Sequence, residues 1–361
     1  MTSKDNSAQH SVDTLWFSRC SIPTPLGIGA HLGFYQDEFS AEGIKIKSLQ
    51  ESDDPVEKAS HYEHSLPHSF RLGGAVPPIW TRAKGRDTRV IGISWIDEYQ
   101  VILSLPGSGI NSPKDLRGRK LGLPLSARKN SVDVARASAQ KGFVSALDLA
   151  GIGYKEVEWV DVADEIAIDQ ADEKNVAAPD TAVRRARRHS YTNVALALVR
   201  GDVDAIYVKD VRGAETAHLL GAQVVVDLGF HPDPLVRINN CAPRPLTVNT
   251  ETLEQHPELV RRFLNRVVNV GPWARNNPAA ALAQVSHDTN WTEAWIRFTY
   301  RDIHNKLDVN LNDESIQGLN VFKNFLLEWK FIEKDFDIND WIYPRPLEDI
   351  LASHKKVAAS A

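Results

Sequence analysis

Two thiols, three closely spaced imidazoles and a guanidinium beside a glycine pair are the groups in this chain with chemistry to offer. Cys20 closes a short apolar run, Thr14-Leu15-Trp16-Phe17-Ser18-Arg19-Cys20, which suits a buried strand entering the turn Ser21-Ile22-Pro23-Thr24-Pro25. Open α/β sheets collect ligands at the carboxyl ends of their strands, so a thiol there is well placed to act. As a thiolate it is a nucleophile, and as a thiol it is an acid. The alternative for Cys20, and the favoured one for Cys241, is that of a small buried hydrophobe. Two cysteines make no disulfide framework, and in a reducing compartment both are thiols. Arg71 offers a planar, permanently charged fork of donors that matches an oxyanion. Gly73 and Gly74 let backbone N–H groups approach the same anion without side-chain interference.

His61, His64 and His68 recur at i, i+3 and i+7 and suggest one face of a helix that holds a metal. Pro67 interrupts such a helix, and no carboxylate or cysteine completes the set, so no metal is expected. The segment Gly27-Ile28-Gly29-Ala30-His31-Leu32-Gly33 lacks the dinucleotide-binding spacing, so no nucleotide cofactor is expected either.

The elements that must position these groups read as α/β. At 361 residues the chain exceeds what one core usually serves, which predicts two domains. A helix over 26–39 and a strand over Ile44–Leu49 follow the first strand and make a βαβ unit, hence a mainly parallel sheet. Strands are expected around Val90–Ile93, Val101–Leu105, Lys120–Leu123, Glu156–Val160, Val203–Tyr207 and Val224–Leu228, with helices between. Residues 163–185 are polar and poorly periodic and read as an insertion or a mobile loop. From 250 to 275 the pattern turns helical, with a capping signal at Thr250.

Composition excludes several classes. Hydrophobic residues make up 42% and charged residues 25%, and the formal net charge of −5 advertises no polyanion as partner. The basic run Arg184–His189 follows the acids Asp161, Asp164, Glu165, Asp169, Asp172 and Glu173 and reads as a solvated helix face, not a nucleic-acid footprint. No apolar run is long enough to span a bilayer, and residues 1–12 carry no signal-peptide pattern, so a cytoplasmic protein is expected.

Several motifs carry a family resemblance. Gly33-Phe34-Tyr35, Glu42-Gly43-Ile44, Ser112-Pro113-Lys114-Asp115-Leu116-Arg117-Gly118 and Gly201-Asp202-Val203-Asp204-Ala205 resemble the sulfonate- and taurine-type solute-binding proteins. That likeness implies a type II periplasmic-binding-protein-like fold, two α/β domains with a cleft between them. One domain is expected from 13–108 and 237–361 and the other from 109–236. Ser18-Arg19-Cys20-Ser21-Ile22-Pro23, His61-Tyr62 and Arg71-Leu72-Gly73-Gly74-Ala75-Val76-Pro77-Pro78 are more specifically similar to the 2'-hydroxybiphenyl-2-sulfinate desulfinase family. The resemblance implies a cofactor-free, cytoplasmic hydrolase of the carbon–sulfur bond in an organosulfur anion, releasing sulfite. It places Cys20, His61 and Arg71 in the catalytic set, and Arg71, Gly73 and Gly74 against the substrate, with Trp80 as a candidate wall. Cys20 either protonates the ring carbon that bears sulfur or attacks sulfur as a thiolate, with His61 orienting or tuning it. A monomer is expected. The alternative is a non-enzymatic transport or sensing protein for a sulfonate-like or aromatic anion, which shares Arg71 but has no need of Cys20 with His61.

Overall fold

The computed structural model of the chain describes residues 12–18, 20, 22–126, 131–163 and 191–360. It opens with β1 (Thr14–Ser18), α1 (Pro25–His31), α2 (Phe34–Phe39), β2 (Lys45–Ser48), α3 (Pro55–Glu63), β3 (Ser69–Leu72), α4 (Val76–Ala83) and β4 (Thr88–Ser94). Next come β5 (Gln100–Ser104), β6 (Lys120–Leu125), α5 (Val134–Ala150), β7 (Glu158–Ala163), α6 (Thr192–Arg200), β8 (Ala205–Lys209), α7 (Asp210–Leu220), β9 (Gln223–Asp227) and β10 (Arg244–Asn249). The helix expected over 26–39 is two helices, separated where Gly33 takes φ 77. Thr24 caps the first by accepting from Gly27 N, with Pro25 at its start, where a missing N–H costs nothing.

Among the described residues the strands form two five-stranded sheets, in the orders β2-β1-β3-β10-β4 and β7-β6-β8-β5-β9. β1 lies parallel to β2 and β3, and β6 lies parallel to β7 and β8. β10 and β5 run against their neighbours. Each reversed strand is the first one laid down after the chain changes sheet, so each sheet is mixed where a mainly parallel one was expected.

Sheet membership puts the first passage between Ser94 and Gln100, and the return between Asp227 and Arg244. β5 thus belongs to the second sheet, whereas the expected limit at 108/109 assigned it to the first domain. Its residues are buried throughout, so its apolar run carries no mark of which sheet it joins. The passages lie side by side: Leu228 N and Gly229 N donate to Gln100 O at 2.9 and 3.0 Å. Arg237 on one passage pairs with Asp97 on the other at 2.8 Å.

Beyond β10 come α8 (Thr250–Gln255), α9 (Pro257–Val268) and α10 (Val270–Asn276). The expected cap at Thr250 falls one residue late, since Asn249 holds the cap position, and Pro257 restarts the helix because it has no N–H to continue α8. α9 drives Phe263 between Tyr35 and Phe70, with ring centroids 4.4 and 3.8 Å away, and so seals the first sheet. The helix Asp313–Glu328 places Phe322 and Leu326 in one core with Ala75, Val76 and Ile79 of the α4 region. The predicted insertion at 163–185 and the basic run Arg184–His189 lie outside the described residues, apart from Ala163 at the end of β7. Among the described residues no helix is long and apolar enough to cross a membrane.

Candidate active site

β1 and β3 pair in parallel with Ser18 opposite Arg71. The turns that follow therefore leave the sheet together, Cys20 two residues past Ser18 and Gly73 two past Arg71. Cys20 Sγ lies 3.3 Å from the point where a β-carbon on Gly73 would stand, and Arg71 Nη2 lies 3.8 Å from the same point. Thiol and guanidinium thus meet over backbone that carries no side chain.

Arg71 is buried and held on two sides. Its Nε donates to His61 O at 3.0 Å and its Nη2 to Gly74 O at 3.0 Å. Nη1, equally buried, has no hydrogen-bond partner among the described residues. Burial pulls the Arg71 pKa down to about 10, with Cys20, Tyr62 and Cys241 acting in the opposite direction, so the group is still a cation at neutral pH. An orphaned donor on a buried cation is costly unless an anion occupies it.

His61 links the same elements a second time. Its Nδ1 is 2.5 Å from Ser18 Oγ and 3.1 Å from Gln50 Nε2. With the Gln50 amide donating, Nδ1 is the acceptor and the ring proton sits on Nε2. Ring and carbonyl of one residue thereby fix the strand that leads to Cys20 and the side chain of Arg71.

Gly74 has a reason to be glycine that the sequence does not disclose. A β-carbon there would stand 2.4 Å from Asn240 Nδ2. Asn240, on the return passage, caps the start of α4, with its O accepting from Ala75 N at 2.6 Å and its Oδ1 from Val76 N at 2.8 Å. The close approach at Gly74 thus serves the passage between domains, and the Gly74 carbonyl is engaged by Arg71.

The three histidines diverge. His64 ends α3 at φ 51 and turns inward, its Nε2 3.1 Å from Thr247 Oγ1. Burial, then the Arg71 charge, lowers its pKa to about 4. His68 stacks edge-on against His256 at 5.2 Å. Trp80 is not brought to this cluster: its ring lies under the Lys84 ammonium at 4.0 Å, and with Glu63, Thr81 and Asp87 it lines a shallow surface pocket.

Sequence reasoning missed a second layer, supplied by the passages and by the second sheet. Cys241 Sγ accepts from Lys209 Nζ at 3.2 Å, and Lys209, at the end of β8, pairs with Glu98 at 2.7 Å. Arg244 donates to Pro23 O at 2.6 Å, beside the Cys20 turn, and lies 3.5 Å from the other Glu98 oxygen. Burial pushes the Cys241 thiol up to about 11, so at neutral pH it is protonated and Glu98 is the anion that sustains Lys209. Burial also opposes the charge on Lys209, but the acidic groups around it, Glu98 and Asp210 among them, hold its pKa well above the ordinary value. Lys209 and Glu98 carry no local pattern that sets them apart from surface charges. Of this layer only Cys241 stands out in the sequence, and there inert packing is its favoured reading.

Two mixed sheets joined by paired passages, with the candidate chemistry at strand ends that face them, define a two-domain periplasmic-binding-protein-like protein, the fold class expected from the sequence. The model of the family described as NMT1/THI5 like matches residues 24–178. The chain is 26% identical to the 2'-hydroxybiphenyl-2-sulfinate desulfinases of Rhodococcus erythropolis and Rhodococcus qingshengii, over 95% of each sequence. A cysteine-to-serine variant of the desulfurization enzyme DszB, solved with biphenyl-2-sulfinic acid, superposes with a TM-score of 0.70 at 23% identity, covering 95% of this chain and 100% of that one. The sulfonate-binding protein SsuA from Methylobacillus flagellatus also gives 0.70, at 14% identity and 95% coverage of both chains. The resemblance drawn from a few motifs thus extends along nearly the whole chain.

Proposed function

We propose that this protein is a desulfinase, which cleaves the carbon–sulfur bond of an aryl sulfinate and releases sulfite. One observation carries the reading: Cys20 Sγ and the buried Arg71, whose Nη1 is unpartnered, converge on Gly73, in a chain aligned over 95% of its length with known desulfinases. The similarity to 2'-hydroxybiphenyl-2-sulfinate desulfinase supports a biaryl sulfinate as substrate.

In this reading Arg71 Nη1 takes a sulfinate oxygen, and the open backbone at Gly73 lets the sulfur approach Cys20. The electron pair of the broken bond stays on the ring carbon and takes up a proton. A hydroxyl from water completes the sulfur as hydrogen sulfite. The balance needs one water, whose second proton replaces the one delivered to carbon, and no external oxidant or reductant. Cys20 supplies the proton, or attacks sulfur to give a thiol-bound sulfonyl intermediate that water then opens. His61 is a positioning residue, since it holds Ser18 and Arg71. A cytoplasmic monomer fits a small-molecule enzyme of this kind.

The SsuA likeness supports a second reading, an anion-binding protein that uses Arg71 without chemistry. Sulfite release from 2'-hydroxybiphenyl-2-sulfinate and a panel of other aryl and alkyl sulfinates, with Cys20→Ser alongside, separates the two. Turnover lost in the variant is expected. Tight binding without turnover in either form would leave the binding protein.

A further inference from the structure

Solute-binding proteins of this fold close on their ligands by a hinge, and a hinge needs domain faces that part easily. Here the domains share apolar cores on both faces of the second sheet. Ala137 and Val144 of α5, in the second domain, lie in one core with Ala75, Val76 and Ile79 of the first. These last residues begin α4, which leads straight out of the Gly73–Gly74 turn. Val211 of α7, also in the second domain, lies in another core with Ile28, Val270 and Ile296 of the first. Along β8, Ala205 and Tyr207 face the α5 side and Ile206 and Val208 the other, so the two contacts come from opposite faces of one sheet.

A half-buried tryptophan of the first domain closes each contact. Trp329, at the end of the helix Asp313–Glu328, meets Tyr154 and Trp159 of the second domain with ring centroids 5.3 and 5.8 Å away. Both partner rings are fixed. Tyr154 OH donates to Asp148 at 2.8 Å, and Trp159 Nε1 donates to Tyr154 O at 2.9 Å. On the other face Trp295, in the helix Glu293–Tyr300, packs on the core of the second domain and meets the His218 ring of α7 edge-on at 6.1 Å. Tyr99 N on the first passage donates to Thr299 O of the same helix at 2.8 Å. A rotation that opened one face would press the other together. Close-packed side chains resist the compression, and the parted face would expose apolar surface to water.

We propose that Trp295 and Trp329 are positioning residues that hold the two domains closed before any ligand arrives, so that the anion site is already assembled in the free protein. Their part in turnover rests on the desulfinase reading; the closed form itself does not. A ligand then meets a site that is fully populated, and its affinity is not diminished by an open fraction. A transport or sensing protein has the opposite need, an occupied form that differs in shape from the empty one.

Small-angle X-ray scattering of Cys20→Ser, with and without biphenyl-2-sulfinate, tests the arrangement. The radius of gyration should be the same in both. Trp295→Ala combined with Trp329→Ala should enlarge the free protein, and the ligand should then contract it to the size of the parent. With Cys20 restored, the double variant should raise KM for sulfite release from 2'-hydroxybiphenyl-2-sulfinate about tenfold and leave kcat within about twofold, because only the closed fraction has fallen. Trp329→Phe alone, which keeps a ring against Tyr154, should stay within about twofold of wild type in both. Contraction of the parent on binding, a free double variant no larger than the parent, or a fall in kcat with KM unchanged would overturn the assignment. Where the double variant fails to fold, as read by circular dichroism, Trp329→Ala takes its place. If no sulfinate binds or turns over, the desulfinase reading fails, and the free sizes of parent and variant still decide whether the tryptophans hold the domains.

Discussion

Ser18 and Arg71 are register partners on adjacent parallel strands, and that pairing sets the geometry of the site. It sends the Cys20 turn and the Gly73 turn out of the sheet side by side. It also brings Ser18 Oγ within 2.5 Å of the His61 ring, whose residue holds Arg71 through its carbonyl. A one-residue slip would turn Ser18 and Cys20 to the opposite face of the sheet and dissolve the arrangement.

The two glycines should separate function from stability. Gly73→Ala presses a methyl group to 3.3 Å from Cys20 Sγ, a contact the half-buried thiol can relieve by moving a few tenths of an ångström. Stability should change by less than about 0.5 kcal/mol, while sulfite release falls about tenfold to a hundredfold through the displaced thiol. Gly74→Ala drives a methyl group to 2.4 Å from the Asn240 amide and should cost about 1–3 kcal/mol in urea denaturation. Equal stability losses at both positions would contradict this division.

Ser18→Ala removes a hydroxyl from the His61 ring but leaves the His61 carbonyl on Arg71. Turnover should drop about tenfold, the scale of one lost hydrogen bond to a working imidazole. Binding of the sulfinate to a Cys20→Ser background should stay within about twofold. If binding weakens as much as turnover, the hydroxyl supports Arg71 and not the thiol's surroundings.

Glu98→Gln should be among the more destabilising single changes. It strips the carboxylate from two buried cations at once, Lys209 at 2.7 Å and Arg244 at 3.5 Å. Removing one member of a buried ion cluster costs about 3–5 kcal/mol. Adding Lys209→Met should recover part of the loss, and chemical denaturation of the single and double variants measures the coupling. Additive losses would show that Lys209 and Glu98 do not depend on one another.

His64 gives a pH signature. Burial holds its folded pKa at about 4, below the ordinary 6.5, so between those values the unfolded chain takes up a proton that the folded chain refuses. Its contribution is complete above pH 6.5 and is lost as pH falls toward 4. At about 1.4 kcal/mol per pH unit the total is about 3 kcal/mol. His64→Gln should flatten the slope of unfolding free energy across this window. An unchanged slope would assign it to other groups.

The sequence by itself determined the chemistry-bearing set in the first domain. Cys20 ends an apolar run, and Arg71 precedes a glycine pair at a fixed distance from His61, all within one short stretch of chain whose local pattern also sets its strands and helices. Strand periodicity and turn residues are local, so they survive without tertiary contacts. Tertiary structure alone decided which sheet takes β5, because a strand buried on both faces looks the same in either. It also decided that Gly74 answers to Asn240, 164 residues beyond the Val76 that Asn240 caps, and that Lys209 meets Glu98 across 111 residues. Trp80 shows the same limit in reverse: near Arg71 in sequence, it is carried by α4 to a surface pocket beside Lys84. Charges and amides that pair across a domain passage carry no periodic mark, and only the path of the chain through both sheets brings them together.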